Sequence, residues 1–153
     1  ELNKIKQNAD TFLRSKELNK ALNEYSIVID RLNEINDEDL NPNFMLLKQK
    51  CLLNRARCHH FNKNTNDAIA DVTDIICTSI KTVIYYKAKC LRAEFYLAIK
   101  QNINVGIKDC REVLVANAKA CDDKTRTRAG NLRKLLKKEL NNKRKKANNN
   151  SNN

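Results

Sequence analysis

Turn-forming residues are almost missing from this chain: glycine occurs only at Gly106 and Gly130, and proline only at Pro42. So few residues suited to positive or fixed φ cannot supply the tight turns of a hairpin-rich β fold. They cannot build a glycine-rich phosphate loop or a dinucleotide fingerprint either, which excludes the nucleotide-dependent enzymes that rely on them. With 153 residues, one domain is expected, able to bury roughly 70% of its unfolded surface.

The apolar pattern gives the fold class. Leu18, Ala21, Leu22, Tyr25, Val28, Ile29 and Leu32 recur at three- and four-residue steps, the stripe of an amphipathic helix. The pattern returns in Ala68 to Ile76, in Ile103 to Leu114, and in Ala129, Leu132, Leu135, Leu136 and Leu140. Leu2 to Leu13, Phe44 to Phe61 and Val83 to Ile99 are helical with broader apolar content, and no stretch alternates as a strand does. Seven helices and an all-α fold are therefore expected. Asn and Asp residues at Asn62 to Asn66, Gln101 to Asn104 and Asp122 to Asp123 supply turns and caps between them.

The six cysteines, Cys51, Cys58, Cys77, Cys90, Cys110 and Cys121, contain no CxxC pair. They read as small apolar residues of a reducing compartment rather than a zinc site or disulfide frame. No apolar run reaches the ~18 residues of a membrane span. The chain reads as soluble, intracellular and cytoplasmic. The missing initial Met and the Asn-rich end suggest a piece of a longer protein. His59 and His60 are expected on a helix surface, with no metal-ligand pattern around them.

An internal period organises the helices. Three segments share a layout: Ala9, Phe12 and Lys20-Ala21-Leu22; Asn54-Arg55-Ala56 with Asp67-Ala68-Ile69-Ala70-Asp71; Arg92-Ala93 with Gly106-Ile107-Lys108-Asp109. The small residues Ala21, Ala68 and Gly106 lie 47 and 38 residues apart, a 34-residue helix-turn-helix repeat with insertions of 13 and 4. The longer insertion is the acidic stretch Asn33 to Asn43.

This arrangement resembles the tetratricopeptide repeat family: three repeats at about 2–33, 44–79 and 81–118, then a capping helix at about 122–145. The resemblance covers about 1–140 as one right-handed stack, leaving 141–153 as a basic, Asn-rich tail. Leu53-Asn54-Arg55-Ala56-x-Cys58 with Asp67-Ala68-Ile69-x-Asp71 is its most specific part. It is similar to the second repeat of co-chaperones that hold the C-terminal Glu-Glu-Val-Asp peptide of heat-shock protein 70 or heat-shock protein 90. The resemblance implies a non-enzymatic adaptor without a cofactor, in which Lys, Asn and Arg side chains clamp the two terminal carboxylates of the peptide. Carried over by position, the first clamp Lys falls on Lys6 and one clamp Asn on Asn54, while the other Asn position holds Asp10. A carboxylate there repels the peptide unless Lys6 neutralises it. In the third repeat an ungapped count selects Arg92 and leaves Ala88 at the Lys position. One extra residue in the Gln101 to Asn104 turn selects Lys87 and leaves Leu91 at the Arg position.

Two alternatives stand beside this reading, and charge opens the first. Residues 1–80 carry 11 basic and 12 acidic side chains, whereas residues 81–153 carry 19 and 6. The basicity peaks at Arg133-Lys134, Lys137-Lys138 and Lys143 to Lys146. A helix so charged suits RNA or another anionic surface, although the lack of basic-aromatic interleaving argues against base stacking. The other alternative is a general protein-protein scaffold whose clamp has degenerated.

Overall fold

A computed structural model describes residues 1–35, 41–78 and 81–150. All regular structure among them is helical: α1 (Leu2–Arg14), α2 (Leu18–Asn33), α3 (Pro42–Phe61), α4 (Thr65–Cys77), α5 (Val83–Ile99), α6 (Ile103–Val115) and α7 (Asp123–Asn150). Most of the acidic insertion, residues 36–40, lies outside the described residues. None of the described helices is long and apolar enough to cross a membrane.

The chain forms two compact units, Glu1–Cys77 and Thr78–Asn153. In the first, α1 packs on α2, α2 on α3 and α3 on α4, with a smaller contact between α1 and α3. In the second, α6 packs on both α5 and α7, and α5 also touches α7. Within each unit consecutive helices thus pair as a helical repeat requires.

Helix boundaries follow local chemistry. Pro42 opens α3 at the position where its missing N–H costs nothing, and the Asn41 carboxamide oxygen accepts from the amides of Asn43 (2.9 Å) and Phe44 (3.1 Å). The side-chain oxygens of Thr82 and Asp122 do the same for α5 and α7, accepting from the amides of Tyr85 (3.3 Å) and Thr125 (2.7 Å). Three helices end alike, on Lys16, Lys63 and Lys100, all left-handed with φ of 63°, 68° and 54°. At each, the lysine amide bonds the carbonyl three residues back and the following amide bonds the one five back: Leu13 and Phe12, His60 and His59, Leu97 and Tyr96. This double closure is the Schellman motif, with lysine where glycine is usual. Ala21 and Ala68 follow their lysines by five residues, but Gly106 follows Lys100 by six. The extra residue lies in the turn after Lys100, where Asn102 takes a second positive φ, 48°.

Each unit has its own core. Tyr25, Val28, Leu32, Cys51, Val72 and Ile75 are fully enclosed in the first, and Phe95, Cys110, Val113 and Leu136 in the second. On α7 the buried seam is Ala129, Leu132 and Leu136, and Leu135 turns outward at 52% exposure, contrary to the four-leucine stripe expected from sequence. The helix also continues past residue 145 to Asn150, with residues 141–150 all exposed. With no Gly or Pro after Gly130, nothing breaks it.

Gly106 explains the close fit of α6 and α7. A Cβ there would meet the two Leu136 methyls at 3.2 and 3.3 Å. Leu136→Ala should cost about 2–5 kcal/mol in urea unfolding, since a fully buried leucine leaves a cavity. Adding Gly106→Ala should recover part of that loss, because the new methyl enters the vacated space and alanine favours helix by up to about 1 kcal/mol. Strict additivity of the two changes would refute this packing account.

Candidate functional site

In the first unit, Lys6 and Asp10 share a face of α1 one turn apart, Tyr25 comes from α2 and Asn54 from α3. Their polar ends converge on the Asp10 carboxylate. Lys6 Nζ donates to Oδ2 at 2.5 Å, Tyr25 Oη to Oδ1 at 2.6 Å, and Asn54 Nδ2 to Oδ1 at 3.1 Å. Asn54 Nδ2 also lies 3.2 Å from Tyr25 Oη, and its carbonyl accepts from Arg57 at 2.9 Å.

Burial raises the Asp10 pKa, but the hydrogen bonds from Lys6, Tyr25 and Asn54 outweigh it and hold the carboxyl below its ordinary value. Burial and the adjacent Asp10 charge drive Tyr25 the other way, so it stays a protonated donor. Three of the five sequence-selected residues therefore meet at one point, and the anion they surround belongs to the chain itself. Tyr25 completes the set. Its place in an apolar stripe marked it for the core, and only its hydroxyl, which needs a partner when buried, signalled more.

Beside this cluster runs a groove of about 370 Å3 between α1 and α3, lined by Asn3 and Lys6 on one side and by Asn43, Phe44, Leu46, Leu47 and Lys50 on the other. Lys6 belongs to both features. Lys50 is exposed and has no partner among the described residues.

The other two selected residues lie on α5, in the second unit. Lys87 Nζ is 3.3 Å from Asp122, the cap of α7. Arg92 grips Asp109 through Nε at 2.8 Å and Nη2 at 2.9 Å. Counting back from the left-handed lysines decides the register of the repeats. Arg55 lies eight residues before Lys63, and Arg92 lies eight before Lys100. They are equivalent, and Arg55 holds Asp71 in the same two-pronged way, at 3.0 and 2.7 Å. The α5 equivalent of Asn54 is Leu91, so the structural register is the one with the extra turn residue. Arg92 is thus engaged in tying α5 to α6, as Arg55 ties α3 to α4.

Lys89, which the sequence reading passed over, is the most enclosed cation of the described residues, its side chain 5% exposed. Its ammonium sits 2.9 Å from Asp109 and 3.1 Å from Glu112. Burial lowers its pKa, but the two carboxylates reverse this and raise it above the ordinary value. His59 is not on an outer surface: it is half-buried toward α4, 3.9 Å from both Asp67 and Asp71. His60 Nδ1 lies 3.3 Å from Thr65 Oγ1. All six cysteines are free thiols, five of them buried and Cys77 exposed. Among the described residues no group of His, Cys, Asp or Glu is arranged to hold a metal ion. Compared with protein families, with curated proteins and with solved structures, the chain matches none.

Proposed function

We propose that the chain is a non-enzymatic adaptor of tetratricopeptide type, whose first unit docks the acidic C-terminal Glu-Glu-Val-Asp peptide of heat-shock protein 90 or heat-shock protein 70. The observation that carries this reading is the α1–α3 groove, which combines two ammonium groups, Lys6 and Lys50, and two carboxamides, Asn3 and Asn43, with apolar Phe44, Leu46 and Leu47. Such a lining suits a short acidic segment with one apolar side chain. The carboxylates take charge-assisted hydrogen bonds from the lysines, and the valine packs on the apolar wall. Asp10 competes for Lys6, which limits affinity. The peptide carboxylates then depend on Lys50 and the amides more than in a clamp with asparagine at that position.

Calorimetry with a free-acid peptide and its C-terminal amide tests this. The acid should bind at micromolar strength and the amide at least about tenfold more weakly, since one charge-assisted bond is worth about 1.5–3 kcal/mol. Lys50→Ala should weaken the acid by a similar factor. Equal binding of acid and amide, or no binding at physiological salt, would remove the peptide reading.

A further inference from the structure

We infer that the second unit carries a separate binding groove, between α6 and α7, for a compact ligand bearing several phosphate groups. Lys108 and Arg111 on α6 and Lys137 and Arg144 on α7 line a groove of about 490 Å3, with Asn104 and Asn141 beside them and Ile107 and Leu140 as its apolar part. Residues 104, 108 and 111 form one row and 137, 141 and 144 the other, each about 10.5 Å long at 1.5 Å rise per residue.

Several features indicate a ligand rather than a structural role. All four cations are exposed, so the core does not need them. None has a hydrogen-bond or ion-pair partner among the described residues, whereas Arg55, Lys89 and Arg92 are all paired. No carboxylate lines the groove. Four like charges brought together without a counter-charge repel one another, and a multiply charged anion relieves that repulsion. Two guanidinium groups supply planar two-pronged donors that match phosphate oxygens, and two ammonium groups and two carboxamides add point donors.

The shape narrows the ligand class. No aromatic side chain lines the groove, so it offers no platform for nucleobases. Its concave, bounded form suits a small polyanion better than a long duplex or a flat bilayer. Phosphates clustered on a small ring fit this description, either free in solution or as the headgroup of a lipid.

The test uses the full chain with inositol hexakisphosphate as probe, in calorimetry at physiological salt. One site should be found. Lys108→Gln with Arg111→Gln, and separately Lys137→Gln with Arg144→Gln, should each weaken it at least about tenfold, as loss of charged hydrogen bonds requires. Lys134→Gln with Lys138→Gln removes the same charge from exposed positions of α7 outside the groove, and should change affinity less than about threefold. Binding to vesicles containing phosphatidylinositol bisphosphate, with the same dependence on groove residues, would assign the ligand to lipid; binding of the soluble probe alone would assign it to the free form. Three results would overturn the inference: no binding of the probe, equal losses for all three double variants, or tighter binding of an RNA oligonucleotide or acidic peptide through the same four residues. Circular dichroism should be unchanged in every variant, and either groove pair alone is decisive if the other fails to fold.

Discussion

Asp10→Asn should raise the affinity of the first unit for a free-acid Glu-Glu-Val-Asp peptide by about tenfold or more. The substitution keeps an acceptor for Tyr25 and removes the anion that engages Lys6 and Asn54. Two unit charges about 4 Å apart repel by about 4 kcal/mol at the effective dielectric of a protein surface. Solvent screening at this half-exposed site reduces that, and about 1.4 kcal/mol already gives the tenfold change. The same substitution should destabilise the unit by about 1.5–3 kcal/mol, because a charge-assisted hydrogen bond is lost. These opposite signs distinguish a masked clamp from a purely structural cluster, in which stability falls and affinity stays put. Acid supplies a second signature. The folded-state pKa of Asp10 lies below its ordinary 3.8, so its stabilising contribution is complete above that value and disappears as the pH falls through the folded value. The stability difference between the wild type and Asp10→Asn should therefore shrink below pH 3.8.

Asp109→Ala should be the most damaging single substitution in the second unit, costing about 3–5 kcal/mol in urea unfolding. Asp109 is 1% exposed and receives both Arg92 and Lys89. Its removal takes the shared carboxylate from two enclosed cations, and leaves Lys89 with Glu112 and the face of the Tyr85 ring. Asp71→Ala in the first unit should cost less, because the Arg55 side chain it releases is 19% exposed and retains Ser26 at 3.1 Å. A loss below about 1 kcal/mol for Asp109→Ala would mean that the cations reorganise to water without difficulty.

Helix positions were legible in the sequence because apolar periodicity is a one-dimensional signal. Val83 and Ile99 bound α5 as expected, and α2 and α6 exceed their apolar stripes by a residue or so. The end of α7 was not legible, since Lys- and Asn-rich residues carry no periodicity and no breaker follows. Of the candidate site, Lys6, Asp10 and Asn54 were legible as a group only through the resemblance to the tetratricopeptide clamp, whose positions fall on them. Their mutual saturation was not, because it depends on the Tyr25 hydroxyl reaching across from α2. The pairs Arg55–Asp71 and Arg92–Asp109 stood inside the motifs that defined the repeat, yet they span 16 and 17 residues across a turn. Only the turn geometry reveals that they face each other. The register of the third repeat was open for the same reason: left-handed residues are announced by glycine, and here they are lysines.

The thiols give each unit its own clock. Burial pushes Cys51 in the first unit, and Cys90 and Cys110 in the second, up to about 12, and Cys58 to about 11. At neutral pH only about one in 10⁴ to 10⁵ of such thiols is ionised while the fold is closed, and the thiolate is the reactive form. Cys77, exposed at the end of α4, reacts without any opening. Alkylation of the chain therefore separates into one immediate event and slower ones paced by local unfolding, with Cys51 and Cys58 timing the opening of the first unit and Cys90 and Cys110 that of the second.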